Sequence, residues 1–246
     1  MKYAIGTVMS TLFALSAIVA PAPARASVVI EGTRVIFPGQ EREVTIKLDN
    51  NGKHPALVQA WLDDGDASAS PESIAVPFVI TPAMFRLDPG TAQTLRMMHT
   101  GQAMAQNKES LYWLNVLEVP PRSQASGNKL QLAMRTRIKV MYRPPGLAGE
   151  AGQAPAKVRW ELIADSAGHA LKGSNPSPYF VNLGNVELQV GAQVIGAGNG
   201  YIAPGESQLF RLAGAVPAGQ AQVRYSAVND WGVSSAGTQA LTSSTD

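Results

Sequence analysis

The segment 130–142, with the sequence LQLAMRTRIKVMY, constrains the fold of this chain more than any other. Its even-numbered positions are mostly apolar, whereas its odd-numbered positions include Arg135, Arg137 and Lys139. An alternation with a period of two is typical of a β-strand that has one apolar and one polar face. The pattern therefore predicts a single β-strand over the whole segment.

The predicted strand is longer than most. At about 3.3 Å per residue its thirteen residues would span roughly 43 Å, whereas most strands contain about five or six residues. A strand of this length extends beyond its own core, so the side chains of Leu130, Leu132 and Met134 would lie outside it. Such an edge is an aggregation hazard, unless it serves to bind a strand of another protein.

Residues 1–26 have the pattern of a secretory signal peptide. Lys2 precedes an apolar stretch over 4–20, and the small-x-small sequence at 24–26 predicts cleavage after Ala26. The apolar stretch is too short and too interrupted to favour a transmembrane helix, and a single-pass anchor is the alternative. We therefore expect the mature chain to begin at Ser27.

The charge and the cysteine content exclude several classes of protein. The chain has 20 basic and 18 acidic residues, and residues 1–26 hold two of the basic ones and none of the acidic ones. A mature chain with 18 of each is formally neutral and lacks the basic footprint of a nucleic-acid-binding protein. The absence of cysteine excludes thiol catalysis and thiolate metal sites.

Short apolar runs separated by turn sequences fill the first half of the chain. The predicted strands are 28–37, 43–48, 56–62, 78–80, 91–99, 111–119 and 130–142. Seven short strands with regularly spaced turns indicate a β-sandwich.

A second β-rich module follows an Ala-, Gly- and Pro-rich linker at 147–155. Its predicted strands are near 158–164, 179–183, 186–190, 208–212 and 223–228. The glycines of 196–200 are interpreted as a flexible turn, and the small polar residues of 234–246 as a frayed tail.

Several stretches resemble one known family. They are GTRVIFPG at 32–39, ALVQAW at 56–61, PFVITPAMFRLDPG at 77–90, ESLYWLNVLEVPPRS at 109–123, TRIKVMYRP at 136–144, NPSPYFVNL at 175–183 and VNDWG at 228–232. In this ordered set the chain resembles the PapD-like periplasmic chaperones of chaperone–usher pili. The short loop between Val119 and Leu130 is similar to that of their branch with a short F1–G1 loop.

The resemblance implies an all-β fold. Two immunoglobulin-like β-sandwich domains, 27–146 and 147–246, would form an L-shaped arrangement with a cleft between them. In this family, two basic side chains in the cleft bind the C-terminal carboxylate of a pilus subunit. The matching residues here are Arg34 and Lys139.

The resemblance also assigns roles along the long strand. Leu130, Leu132 and Met134 would be donor side chains that fill a groove in an incomplete subunit, whereas Ile138 and Val140 would stay in the chain's own core. A third implied set, an ionic cluster between the domains, comprises Glu109, Arg143 and Asp230.

The resemblance implies a function as well. The protein would be a periplasmic chaperone that binds, folds and caps pilus subunits, one to one, by donor-strand complementation and delivers them to an outer-membrane usher. We expect no enzymatic activity, no cofactor, no metal, no nucleic acid and no stable membrane insertion. We also expect the free protein to self-associate weakly.

Other functions are less well supported by the residues. The sequence has no GxSxG, HExxH or phosphate-loop motif, and His54, His99 and His169 lack ligand spacing. Met97 and Met98 beside His99 fit core packing better than a copper site. A pilus subunit or adhesin, or a secreted carbohydrate-binding sandwich, remains the alternative. The tryptophans at 61, 113, 160 and 231 are interpreted as core or cleft wall rather than as a sugar platform.

Overall fold

The computed structural model describes residues 27–121 and 131–242, and the predicted signal peptide, its cleavage site and Leu130 lie outside these ranges. The first domain contains nine strands among the described residues. They are β1 (Val28–Ile30), β2 (Arg34–Pro38), β3 (Glu43–Asn50), β4 (Ala56–Asp63), β5 (Phe78–Thr81), β6 (Met84–Leu87), β7 (Ala92–His99), β8 (Ser110–Val119) and β9 (Met134–Arg143).

These strands form two sheets that enclose one core. One sheet has the order β1-β3-β7-β5, and the other has the order β2-β9-β8-β4-β6. Apolar side chains at alternate positions fill the space between the sheets, because successive side chains of a strand point to opposite faces. The fully buried members of this core include Phe37, Leu48, Val58, Leu95, Met97, Leu114 and Val140. The interpretation of Met97 as core packing is therefore confirmed.

The predicted first strand is divided between the two sheets. β1 pairs antiparallel with β3, and β2 pairs parallel with β9. Gly32 lies between them with a φ of 99°, a conformation that a residue with a Cβ rarely adopts. This switch puts Arg34 on the edge of the sheet that contains β9.

β9 is shorter than the predicted strand of 130–142. It begins at Met134, which pairs with Glu118 near the end of β8, and residues 131–133 lie outside any strand. β8 ends at Val119, and Pro120 and Pro121 follow it. Because proline has no amide hydrogen to donate, the ladder between β8 and β9 cannot continue past them.

The second domain is also a β-sandwich. Its strands are β10 (Arg159–Asp165), β11 (Gly168–Ser174), β12 (Val181–Val190), β13 (Gln193–Ile202), β14 (Ser207–Arg211), β15 (Ala221–Val228) and β16 (Ser234–Ala240). One sheet has the order β10-β11-β14, and the other has the order β13-β12-β15-β16. Trp160, Leu171, Val186, Leu188 and Ile202 are among its buried residues. The all-β fold class is confirmed. Within the described ranges, no helix has the length and apolar character needed to cross a membrane.

Two predictions for the second domain are wrong. Residues 196–200 belong to β13, where irregular register with β12 accommodates the glycines. Residues 234–240 form β16 rather than a frayed tail, because β16 pairs along its length with β15. A Cβ on Gly237 would lie 2.3 Å from the ring of Tyr225. The small residues that suggested a tail thus leave room for this ring.

Candidate functional site

Arg34 and Lys139 lie side by side where the two domains meet. β2 runs parallel to β9 in a register that pairs Arg34 with Lys139. Both side chains reach the second domain. Arg34 Nη1 donates a hydrogen bond to the carbonyl oxygen of Val228 over 3.2 Å, and Lys139 Nζ donates one to Asn182 Oδ1 over 2.5 Å. The structure thus brings together the two cations to which the family resemblance points.

The environment of these two cations favours an anion. Within the described residues, neither of them forms a salt bridge, and the buried Arg34 Nε has no hydrogen-bond partner. Burial, and then the charge of Arg34, lowers the pKa of Lys139 to about 8. Burial also lowers the pKa of Arg34, against the opposing charge of Asp230. A bound carboxylate would relieve the repulsion between the two cations and supply the missing acceptor.

Aromatic rings surround the Lys139 ammonium. It lies 4.5 Å from the ring centroid of Tyr201 and 5.7 Å from that of Trp113. Both rings, with Phe180, line a hollow of about 470 Å³ between the domains. The Lys139 ammonium thus lies beside two aromatic rings, where a charged hydrogen bond is stronger than in water.

Glu109, Arg143 and Asp230 form an ionic cluster that joins the domains. Arg143 Nε donates to Glu109 Oε1 over 2.6 Å, and its two terminal nitrogens donate to the two oxygens of Asp230 over 2.7 and 2.9 Å. The other oxygen of Glu109 accepts the backbone N–H of Phe180 over 2.7 Å. Glu109 and Arg143 belong to the first domain, and Asp230 and Phe180 to the second, so the cluster connects the two.

The members of this cluster depend on one another. Burial raises the pKa of the Glu109 carboxyl, against the effects of the Phe180 amide and of Arg143. Burial alone would lower the pKa of Arg143, but its bonds to Asp230 and the charge of Glu109 outweigh this, and the pKa is raised. Removing Arg143 would leave the buried Glu109 carboxylate without its charged partner, which is strongly destabilising.

The first half of β9 has an open edge. β2 pairs with β9 only from Lys139 onwards, so among the described residues 134–138 pair with β8 alone. Met134 is 48% exposed and Leu132, just before the strand, is 61% exposed, whereas Ile138 is buried. The structure thus presents an unpaired strand edge and exposed apolar side chains beside the two cations.

Sequence reasoning missed three features of this region. Asn182, which is buried in β12 and accepts the hydrogen bond from Lys139, was not singled out. Asp63 and Asn115, buried polar residues in β4 and β8, were not singled out either. Asparagine is uncommon in strand interiors, so the presence of Asn115 and Asn182 in predicted strands was the available signal. Asp63 lies at the end of β4 and gave no such signal.

The tryptophans that were interpreted as core or cleft wall differ in burial. Trp160 is in the core of the second domain, but Trp231 is 87% exposed. It follows Asp230 in the turn between β15 and β16 and lies at the rim of a groove of about 840 Å³ whose lining includes Arg34.

Two family models match the chain. The model described as "Pili and flagellar-assembly chaperone, PapD N-terminal domain" matches residues 27–148. The model described as "Pili assembly chaperone PapD, C-terminal domain" matches residues 153–239. Together they account for almost all of the described residues.

Similar proteins support the same assignment. "Chaperone protein FimB/FhaD" of Bordetella pertussis is 41% identical over 225 residues, which are 89% of this chain and 89% of that protein. "Probable fimbrial chaperone YadV" of Escherichia coli is 39% identical over 213 residues, which are 84% of this chain and 87% of that protein.

Solved structures agree with the sequence comparisons. The crystal structure of the YadV chaperone superimposes with a TM-score of 0.77 at 36% identity and covers 88% of this chain and 100% of that one. The SafB chaperone of Salmonella enterica, solved in complex with the SafA pilin, gives a TM-score of 0.74 at 26% identity and covers 89% and 99%. The chain therefore belongs to the PapD-like family of pili-assembly chaperones.

Proposed function

We propose that this protein is a periplasmic chaperone that binds, folds and caps pilus subunits by donor-strand complementation and delivers them to an outer-membrane usher. One observation carries the proposal: two partly buried cations, Arg34 and Lys139, lie at the end of an unpaired strand edge. The family assignment supports it, and so does the complex that the similar chaperone SafB forms with a pilin. The proposal includes no catalytic step.

The cations would anchor the C-terminal carboxylate of the subunit. A chain terminus offers two acceptor oxygens and a full negative charge, and each charged hydrogen bond contributes about 1.5–3 kcal/mol. An anchored terminus also fixes the register of the strand that precedes it. A slip by one residue would turn all its side chains to the wrong face.

The open edge of β9 would complete the subunit. A subunit strand would pair with residues 134–138, while Leu130, Leu132 and Met134 fill the groove left by a missing strand. Burying each of these side chains would contribute about 1.5–3 kcal/mol before the cost of ordering. The free chain exposes Leu132 and Met134, and this exposure supports a role for them in binding.

The ionic cluster would hold the cleft open at a fixed angle. Glu109, Arg143 and Asp230 tie the domains on one side of the anchor, so the position of Asn182 relative to Lys139 depends on them. We further propose cleavage after Ala26, domains at 27–146 and 147–246, a complex with one subunit, and weak self-association of the free protein.

Co-expression with pilin-like subunits encoded nearby tests the proposal. We expect a soluble one-to-one complex in the periplasmic extract, measured by size-exclusion chromatography with light scattering. Arg34→Ala and Lys139→Ala should each lower the affinity for the subunit by about 10- to 150-fold, as expected for one charged hydrogen bond.

Arg96→Ala is the matched control, because Arg96 pairs with Glu43 on the exposed surface of the same domain. It should leave the complex intact. A subunit that stays bound and soluble after both anchor substitutions would contradict the carboxylate anchor. A wild-type chain that binds no subunit would contradict the chaperone function.

A further inference from the structure

A partly buried ionic network crosses three strands on the outer face of the five-stranded sheet. Its members are Asp63 of β4, Asn115 of β8, and Arg135 and Arg137 of β9, which we call the Asp63 clasp. The Asp63 side chain is 0% exposed, although it lies on the face that points away from the core. The anchor and the ionic cluster between the domains use none of these four residues.

Each polar atom of Asp63 is engaged. Its Oδ2 accepts Asn115 Nδ2 over 2.7 Å and Arg137 Nε over 3.0 Å. Its Oδ1 accepts the Gly65 backbone N–H over 2.8 Å and a terminal nitrogen of Arg137. Burial would raise the pKa of Asp63, but these bonds, with that from Arg137 foremost, outweigh burial and lower it. The carboxylate is thus held charged among its donors.

Arg135 extends the network along β9. Its Nε and one terminal nitrogen donate to Asn115 Oδ1 over 2.9 and 2.6 Å, and its other terminal nitrogen donates to the Ala67 carbonyl oxygen over 2.7 Å. Two tryptophan rings complete the enclosure. The guanidinium of Arg135 lies 4.9 Å from the ring centroid of Trp61, and that of Arg137 lies 4.1 Å from the ring centroid of Trp113.

The clasp acts on the part of β9 that has the fewest backbone bonds. Arg135 and Arg137 lie within 134–138, which pair with β8 on one side and have an open edge on the other. A strand end bonded on one side only is expected to open locally more often than the rest of its sheet. Here the side chains of Arg135 and Arg137 bind this half of β9 to β8 and, across β8, to β4.

The clasp also fixes which way this segment faces. Side chains alternate along a strand, so holding Arg135 and Arg137 on the outer face turns Met134 and Thr136 to the opposite side. Both of these are exposed. Because both oxygens of the buried Asp63 carboxylate are hydrogen-bonded, the network favours one arrangement of these strands, even where it adds little net stability.

We propose that the Asp63 clasp is a positioning device that holds the open half of β9 extended and correctly faced before a subunit arrives. The benefit for binding rests on the proposed chaperone function. A segment that is already ordered loses less conformational entropy when it pairs with a subunit strand, so association is faster and tighter. Asp63 is then a positioning residue that would touch no part of the subunit.

Amide hydrogen exchange of the free protein tests the positioning without any subunit. We expect Asp63→Asn to accelerate exchange by about tenfold or more at those amides of 134–138 that bond to β8, because it removes a charged partner of Arg137. Exchange at 139–143, which also pair with β2, and in the second domain should stay unchanged. Arg135→Gln, which removes a less buried member, should give the same local pattern with a smaller acceleration.

Glu43→Gln is the matched control. It also removes the carboxylate partner of an arginine, Arg96, in the same domain, but on β3 and β7. It should leave exchange at 134–138 unchanged. Unchanged exchange at 134–138 in both clasp variants would overturn the proposal. Acceleration spread evenly over the first domain would also overturn it, because the clasp would then be a general stabiliser.

Subunit binding gives a second and separate result. Asp63→Asn should slow association with a subunit about tenfold and leave the anchor contacts intact, whereas Arg34→Ala should mainly accelerate dissociation. An association rate equal to that of wild type, despite faster exchange, would overturn the benefit for binding. If the wild type binds no subunit, the proposed function fails, and the exchange result still decides whether the clasp orders β9.

Discussion

The surroundings of Lys139 disfavour the charged form of its side chain. Burial, and then the neighbouring charge of Arg34, lowers its pKa to about 8 from an ordinary 10.5. We predict that NMR titration of the side-chain carbon next to Nζ will give a pKa near 8 in the free protein. Arg34→Gln should raise that pKa, because it removes the like charge. Arg96→Gln should not change it, and a wild-type pKa near 10.5 would contradict the burial of Lys139.

The lowered pKa of Lys139 makes the free energy of unfolding depend on pH. Between about pH 8 and pH 10.5 the unfolded chain still binds the Lys139 proton, while the folded protein has released it. The contribution of Lys139 to the free energy of unfolding therefore rises with pH across this window. We predict that Lys139→Met will remove this contribution, as measured by denaturant unfolding at pH 8 and pH 10.5. Identical pH profiles for the two proteins would refute it.

At the level of the element, β9 divides into an open half and a paired half. We predict that Leu132→Ser and Met134→Ser will each change the free energy of unfolding by no more than about 0.5 kcal/mol, because both side chains are exposed. Each should weaken subunit binding by roughly 10- to 100-fold through lost apolar burial.

Ile138→Ala is the control on the same face of the same strand. Ile138 is buried in the first domain's own core, so this change should lower the free energy of unfolding by about 2–5 kcal/mol. If Met134→Ser destabilised the free protein as much as Ile138→Ala, the division of β9 into two halves would be wrong.

The pattern of 130–142 illustrates what the sequence can predict. Period-two alternation revealed the strand and its two faces, because a strand that is buried on one face has apolar residues at every second position. The placement of Ile138 and Val140 in the chain's own core came with the family resemblance. The predicted start of the strand at residue 130 was wrong, because the start of β9 depends on where its partner strand β8 ends. Pro120 and Pro121, which follow β8, end the hydrogen-bonded ladder between β8 and β9. The side-chain pattern of β9 alone does not indicate where its partner strand ends.

The candidate site was predictable only in part. The resemblance identified Arg34 and Lys139, and their pairing in register follows from the parallel contact between β2 and β9. Asn182 was missed because its role depends on the angle between two domains. β16 was missed because its residues are small, and they are small because the ring of Tyr225 on the neighbouring strand β15 needs the space. Long-range packing of this kind has no local pattern.

At the scale of the whole molecule, the cluster of Glu109, Arg143 and Asp230 joins the two domains. Glu109 is the most buried member of the cluster, and it contacts both Arg143 and the Phe180 amide. Glu109→Ala would leave Arg143 with Asp230 alone and the Phe180 N–H without its acceptor. Loss of one partner from a buried ion pair costs about 3–5 kcal/mol, whereas an exposed pair contributes about 1 kcal/mol or less.

We therefore predict that Glu109→Ala will loosen the domains without unfolding either sandwich. Small-angle X-ray scattering should detect a wider distribution of interdomain distances, and thermal unfolding should separate into two transitions, because each domain has its own core. Asp165→Asn is the control, since Asp165 forms an exposed pair with Arg211 inside the second domain. It should leave both measurements unchanged. A single transition and an unaltered scattering curve for Glu109→Ala would mean that contacts other than the cluster fix the cleft.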